Sequence, residues 1–133
     1  AHNAKATVIF DPGQVSPFFT AAGFKECLAL ADIIIGNDIE ETHFDRYVEA
    51  VWPENIQRIV TLGAEGVRFW QDEVWHRLPA QPVAQVIETT GAGDAFRAGL
   101  LAGLVQEGSL QEALDLGAQL GAECVQCPAG QPV

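Results

Sequence analysis

The chain has 133 residues, 48% of them hydrophobic, with 13 glycines and 7 prolines, a composition that fits one soluble α/β domain with a real core and argues against disorder. Seven Lys and Arg against 18 Asp and Glu leave a formal charge of −11, which repels a polyphosphate backbone and anionic lipid, so nucleic acid and membranes are set aside as partners. No apolar run approaches the ~18 residues of a membrane-spanning helix and the N-terminus lacks the form of a signal peptide, so a cytoplasmic address is expected, with Cys27, Cys124 and Cys127 as reduced thiols.

Along the chain, Lys5 to Phe10 reads as a short buried strand stopped by Asp11-Pro12-Gly13-Gln14, a strand-to-loop exit of the kind that often carries ligand groups. Residues 17 to 31 read as a helix with Phe18, Ala21, Ala22, Leu28 and Ala31 on one face, followed by a second buried strand at Asp32 to Gly36. A helical pattern from Asp38 to Val51, with Ile39, Phe44, Tyr47, Val48 and Val51 near helical spacing, ends at Trp52-Pro53. Arg58 to Gly63 is a third strand. Val67–Trp70 and Val74–Leu78 flank Gln71-Asp72-Glu73 as an antiparallel hairpin. A further strand is expected near Val83 to Ile87. A glycine turn then opens a helix through about Glu107, whose small residues predict a central, buried position. Ser109-Leu110-Gln111-Glu112 has the form of a capping box opening a last helix toward Ala122. The pattern predicts a mostly parallel sheet with an antiparallel hairpin at its edge and helices on both faces.

The chemistry is concentrated in Glu88-Thr89-Thr90-Gly91-Ala92-Gly93-Asp94-Ala95-Phe96. A glycine turn leading into a helix aims backbone N–H groups at one point, where the positive end of the helix dipole adds to them, and so suits an anion. The plainer alternative makes Asp94 a helix N-cap, with glycines that merely permit the turn. Asn37-Asp38-Ile39-Glu40 after the second strand is likewise open to two readings, a polar pair for a ligand or a capping box. Thr61-Leu62-Gly63-Ala64-Glu65-Gly66 is either a ligand-bearing strand end or a plain turn. Gly117 to Ala122 supplies small residues either for a ligand slot or for a helix-packing face. Cys124-Val125-Gln126-Cys127 lacks the second pair of ligands that structural zinc needs. Neither Gly-x-x-x-x-Gly-Lys-Ser/Thr nor Gly-x-Gly-x-x-Gly occurs, which sets aside P-loop NTPases and dinucleotide dehydrogenases.

The 88–96 run resembles the second signature of the ribokinase-like (PfkB) family of sugar and nucleoside kinases, Asp-Thr-Thr-Gly-Ala-Gly-Asp-x-Phe, with Glu88 in place of the first Asp. Asn37-x-x-Glu40, Thr61-Leu62-Gly63-x-x-Gly66 and the late Ala129-Gly130-Gln131-Pro132 resemble further segments of that family in the same order. The resemblance implies an α/β Rossmann-like ribokinase fold and transfer of the γ-phosphoryl group of ATP to a hydroxymethyl group. It makes Asp94 the general base and the amides of Gly91, Ala92, Gly93 and Asp94 the anion hole. Asn37 and Glu40 would organise Mg²⁺, Glu40 through water; Thr61, Gly63 and Gly66 would line the nucleotide, and Ala118 and Gly121 the adenine slot. A monovalent cation is left open.

The Asp11–Gln14 loop, Asn37-x-x-Glu40 and the late Gly-Gln pair resemble adenosine-kinase-like members, so the acceptor expected is a sugar or nucleoside, adenosine-like first. Residues 1–133 match only the C-terminal portion of such a kinase, the ATP side with the base. The N-terminal half, with its lid and most acceptor contacts, is absent. Association with such a half, or with a second copy, is left open. A truncated, non-catalytic nucleotide-binding or interaction module is the alternative to an enzyme.

Overall fold

The structure, a computed structural model, describes residues 6–106 and 108–128. Five strands lie hydrogen-bonded in chain order: β1 (Ile9–Phe10), β2 (Ile33–Asn37), β3 (Gln57–Thr61), β4 (Val67–Gln71) and β5 (Val74–Leu78). Four α-helices accompany them: α1 (Ala21–Leu28), α2 (Asp38–Val48), α3 (Ala92–Val105) and α4 (Leu110–Cys124). The first three strands are parallel, with Ile9 beside Ile33 and Ile33 beside Gln57. Among the described residues no helix is long and apolar enough to cross a membrane. The chain divides into two compact units, Ala1–Leu62 with Arg68–Arg77, and Gly63–Val67 with Leu78–Val133.

In the first unit, β2 is buried along Ile33, Ile34, Ile35 and Gly36, the continuous β-branched run expected of a parallel strand covered on both faces. One face carries α1 and α2 around Phe24, which is fully buried and lies 5.4 Å from the Phe10 ring, 5.5 Å from Phe44 and 5.0 Å from Tyr47. Such ring pairs add about 0.5–1.5 kcal/mol each beyond the area they bury. The β4–β5 hairpin turns on Asp72 and Glu73, both at positive φ (53° and 63°), the type I′ geometry whose twist matches antiparallel strands. Beside it the Arg58 guanidinium lies over the rings of Trp52, Trp70 and Trp75 at 4.6–4.8 Å.

In the second unit, α3 and α4 pack backbone to backbone. A β-carbon on Gly99 would stand 2.6 Å from the Leu116 carbonyl oxygen, and one on Gly103 2.5 Å from Ala113 Cα. Only glycine lets the two helices approach this closely.

Several expectations are corrected. Residues 13–18 form a 3₁₀ turn, Gly13–Phe18, and α1 starts only at Ala21, because Thr20 caps it by accepting from Gly23 N–H at 3.1 Å. The buried face of α1 is Phe24 and Leu28, while Phe18 is 84% exposed. α2 ends at Val48, where Glu49 and Ala50 turn left-handed (φ 55° and 60°), and Ile39 is exposed. No strand forms at 83–87: the N–H groups of Ile87 and Glu88 donate to Val125 carbonyl at the end of α4, and Ala84 N–H to Gln126 Oε1. α3 is not buried all round, since Leu101 and Val105 are exposed opposite the face of Phe96, Gly99, Leu100 and Gly103. α4 continues to Cys124. Lys5 and the 129–132 turn lie outside the described residues.

Candidate functional site

In the first unit the candidate site residues Asn37 and Thr61 lie at the carboxyl ends of the parallel strands, the end where ligands bind in open α/β sheets. Asn37 ends β2 directly beside Thr61, which ends β3, and Thr61 Oγ1 donates to Gly36 carbonyl at 3.4 Å. Asn37 also caps α2: its Oδ1 accepts from Glu40 N–H at 2.8 Å, while Glu40 Oε2 accepts from Asn37 N–H at 2.9 Å. The Asn-x-x-Glu spacing thus forms a full capping box. Glu40 is buried, and its Oε1 lies outside the box. Gly36 makes room for this arrangement, since a β-carbon there would meet the Phe44 ring at 2.7 Å and Glu40 Oε2 at 3.0 Å.

The loop after β1 is fastened to the same helix. Ser16 is buried; its Oγ lies 3.1 Å from His43 Nδ1 and its carbonyl accepts from Tyr47 hydroxyl at 2.9 Å. α2 therefore presents Asn37 and Glu40 at its start and grips the 13–18 turn along its body. The sequence reading missed this clamp, because no periodicity links Ser16 to a helix 27 residues on. Behind it, Glu41 pairs with Arg68, yet burial outweighs that attraction and raises the Glu41 carboxyl above its ordinary pKa.

In the second unit, α3 begins at Gly91, which takes the left-handed conformation (φ 84°) and supplies no side-chain cap. α1, α2 and α4 all start under a capping side chain, from Thr20, Asn37 and Ser109. Asp94 is therefore not the N-cap; it sits in the first turn of α3 and is exposed. The turn ahead is tied internally. Glu88 Oε1 accepts from Thr90 N–H at 3.0 Å and from Thr90 Oγ1 at 2.8 Å, and Ala92 N–H donates to Thr89 carbonyl at 3.2 Å. The Thr90 amide, then its hydroxyl, hold Glu88 below the usual carboxylate range. A glutamate thus does the turn-closing work at this position. The amide of Ala92 is spent on the turn.

Gly63 and Gly66 differ. Both have positive φ (55° and 96°), and Gly66 N–H donates to Gly63 carbonyl at 3.1 Å. A β-carbon on Gly66 would stand 2.1 Å from the Leu78 carbonyl oxygen, whereas one on Gly63 would meet nothing within 4 Å. Gly66 serves the fold; the space at Gly63 is open. On α4, Gly117 and Gly121 face α3: a β-carbon on Gly121 would stand 3.4 Å from the Ala92 carbonyl oxygen, and Ala118 is half-buried beside them. Among the described residues no three His, Cys, Asp or Glu side chains group as a metal cage.

A mostly parallel α/β sheet with polar strand ends, and a glycine turn opening an uncapped helix, belong to an α/β protein of the ribokinase fold. The pfkB family carbohydrate kinase model matches residues 1–133, and the chain belongs to that family. An ATP-dependent ribose-1-phosphate kinase of Halopiger xanaduensis is 33% identical over 92% of this chain and 41% of its own length. A nucleoside kinase of Thermoplasma acidophilum is 30% identical over 88% of this chain and 40% of its own. Among solved structures, the nucleoside kinase of Burkholderia thailandensis in complex with inosine superposes with a TM-score of 0.87 at 31% identity, over 97% of this chain and 44% of that one. The same kinase has also been solved with ADP-inosine. The chain spans about two-fifths of the length of these relatives.

Proposed function

We propose that residues 1–133 are the nucleotide-binding and catalytic-base portion of a kinase that moves the γ-phosphoryl group of MgATP to a hydroxymethyl group of a nucleoside or sugar, adenosine or a related purine nucleoside first. The observation that carries this reading is the uncapped start of α3, with Asp94 exposed in its first turn. In phosphoryl transfer the protein chiefly positions reactants and stabilises charge. Amides of the Gly91–Asp94 turn other than that of Ala92, which is bonded to Thr89 carbonyl, would hold the migrating group. Asp94 would take the proton as the acceptor oxygen bonds to the γ-phosphorus, and the bond to the β-phosphate oxygen would break to release ADP.

Asn37 and Glu40 suit hydrated Mg²⁺, which needs only one or two carboxylates beside water and phosphate oxygens. When bound, such an ion neutralises charge on the phosphates. Glu40 would meet its water shell through Oε1, with Oε2 kept in the capping box. Thr61 and the open face of Gly63 would flank the nucleotide, and Ala118 with the free side of Gly121 the adenine. Gly66 supports the strand end from within.

The acceptor preference leans on the nucleoside kinases among the relatives and on the Asp11–Gln14 loop. The span of about two-fifths of those relatives favours a second reading, a nucleotide-binding module without turnover of its own. Calorimetric titration with ATP, followed by phosphorylation of inosine, adenosine and ribose with and without the N-terminal half of a family kinase, tests both. Product formation supports the kinase, ATP binding with no product in either condition supports the module, and absence of ATP binding rejects both. Repeating the assay in K⁺ and Na⁺ salts reads any monovalent-cation dependence.

A further inference from the structure

The second unit is strongly acidic. In Gly63–Val67 and Leu78–Val133 the sequence holds seven Asp and Glu and a single Lys or Arg, Arg97, with no histidine. A triphosphate brought to this unit meets net repulsion almost everywhere, so the position of that one cation decides whether the turn can hold it.

Arg97 is not placed at random. It stands four residues after Gly93 on α3, and helical side chains lean back toward the N-terminus, over the preceding turn. The structure realises this lean: the Arg97 Nη1 atom lies 2.7 Å from the point a β-carbon on Gly93 would occupy. The missing side chain at Gly93 is therefore filled by a guanidinium. That guanidinium sits on the first turn of α3, the turn that has no side-chain cap and carries Asp94. Arg97 lies one residue past the run Glu88–Phe96 that marks the turn in sequence.

We infer that Arg97 is a phosphate-binding residue of this site, its guanidinium supplying the positive charge that the glycine turn needs to hold the terminal phosphates of the nucleotide. The inference rests on the proposed kinase reading. A planar guanidinium offers paired donors to two phosphate oxygens, which amides alone supply only singly. The glycine at 93 thus opens the space that the Arg97 guanidinium occupies over the turn.

Titration of the chain with ATP and with adenosine, for the parent and for Arg97→Ala, Arg97→Gln and Arg97→Lys, tests this. Loss of the guanidinium should weaken ATP about 10- to 100-fold, the range for a charged hydrogen bond, with adenosine affinity unchanged and Arg97→Lys in between. The dependence of ATP affinity on salt should also flatten in Arg97→Ala. Equal ATP affinity in parent and Arg97→Ala overturns the inference and leaves the kinase reading standing. A parallel loss of ATP and adenosine affinity also overturns it, by making Arg97 structural. A parent that binds no ATP takes down both. Arg97→Gln, which keeps most of the side chain, guards against a folding defect in the alanine variant.

Discussion

Two helix starts in this chain place a carboxylate three residues after the helix-capping position, yet they are built in opposite ways. At Asn37 the helix is closed by its own side chains: Asn37 and Glu40 bond each other's backbone, and Glu40 is buried in the process. At Gly91 no side chain closes the helix, and Asp94 is exposed. The first start bonds its polar side chains into the helix end, and the second carries no such side-chain cap. A start without a cap forgoes about 1 kcal/mol.

The largest effect that separates the two starts is on turnover. Asp94→Asn should lower phosphorylation by about 10² to 10⁴-fold, the usual span for a lost general base, with the melting temperature unchanged. A surviving rate would make Asp94 a structural residue of the Gly91 start. Next in size is a contrast between the neighbouring glycines. Gly66→Ala forces a β-carbon into the Leu78 carbonyl at φ 96° and should cost about 3 kcal/mol or more in urea unfolding. Gly63→Ala adds only left-handed strain, about 1 kcal/mol, while its effect should show in ATP affinity. If both cost the same stability, the open space at Gly63 has no special meaning.

Smaller still is the cap itself. Asn37→Ala should destabilise by about 1 kcal/mol, read from the urea midpoint, and Ser109→Ala on α4 should do likewise without touching ATP affinity. The least is a matter of pH. Glu88 is held below its ordinary pKa by Thr90 and Thr89, so its contribution is complete above the ordinary glutamate value and is lost as pH falls through the depressed one. Glu41, raised by burial, has the opposite sign: stability declines as pH rises from the ordinary value toward the raised one. Urea midpoints across the acid range should show Glu88→Gln flattening the acid-side loss and Glu41→Gln removing the opposing slope.

Much of this was legible before any coordinates. The isoleucine run of β2, the capping boxes at Asn37 and Ser109, the Asp72-Glu73 hairpin and the order of the motifs depend on neighbours a few residues apart, where spacing and side-chain type decide. The misread elements all depend on distant partners. Residues 83–87 look like a strand, but their amides are taken by the end of α4 some 40 residues on. Phe18 fits a helical face, but the cap at Thr20 starts α1 after it.

By itself, then, the sequence determined the class of fold, the family and the turn that ends in Asp94, because local hydrogen bonding and hydrophobic period are written in consecutive residues. Tertiary structure alone decided that Gly66 supports backbone while Gly63 opens to space, that Ser16 is gripped by His43 and Tyr47, and that Arg97 leans over Gly93. Each of those turns on how closely atoms from separated positions approach, a distance that no spacing along the chain encodes.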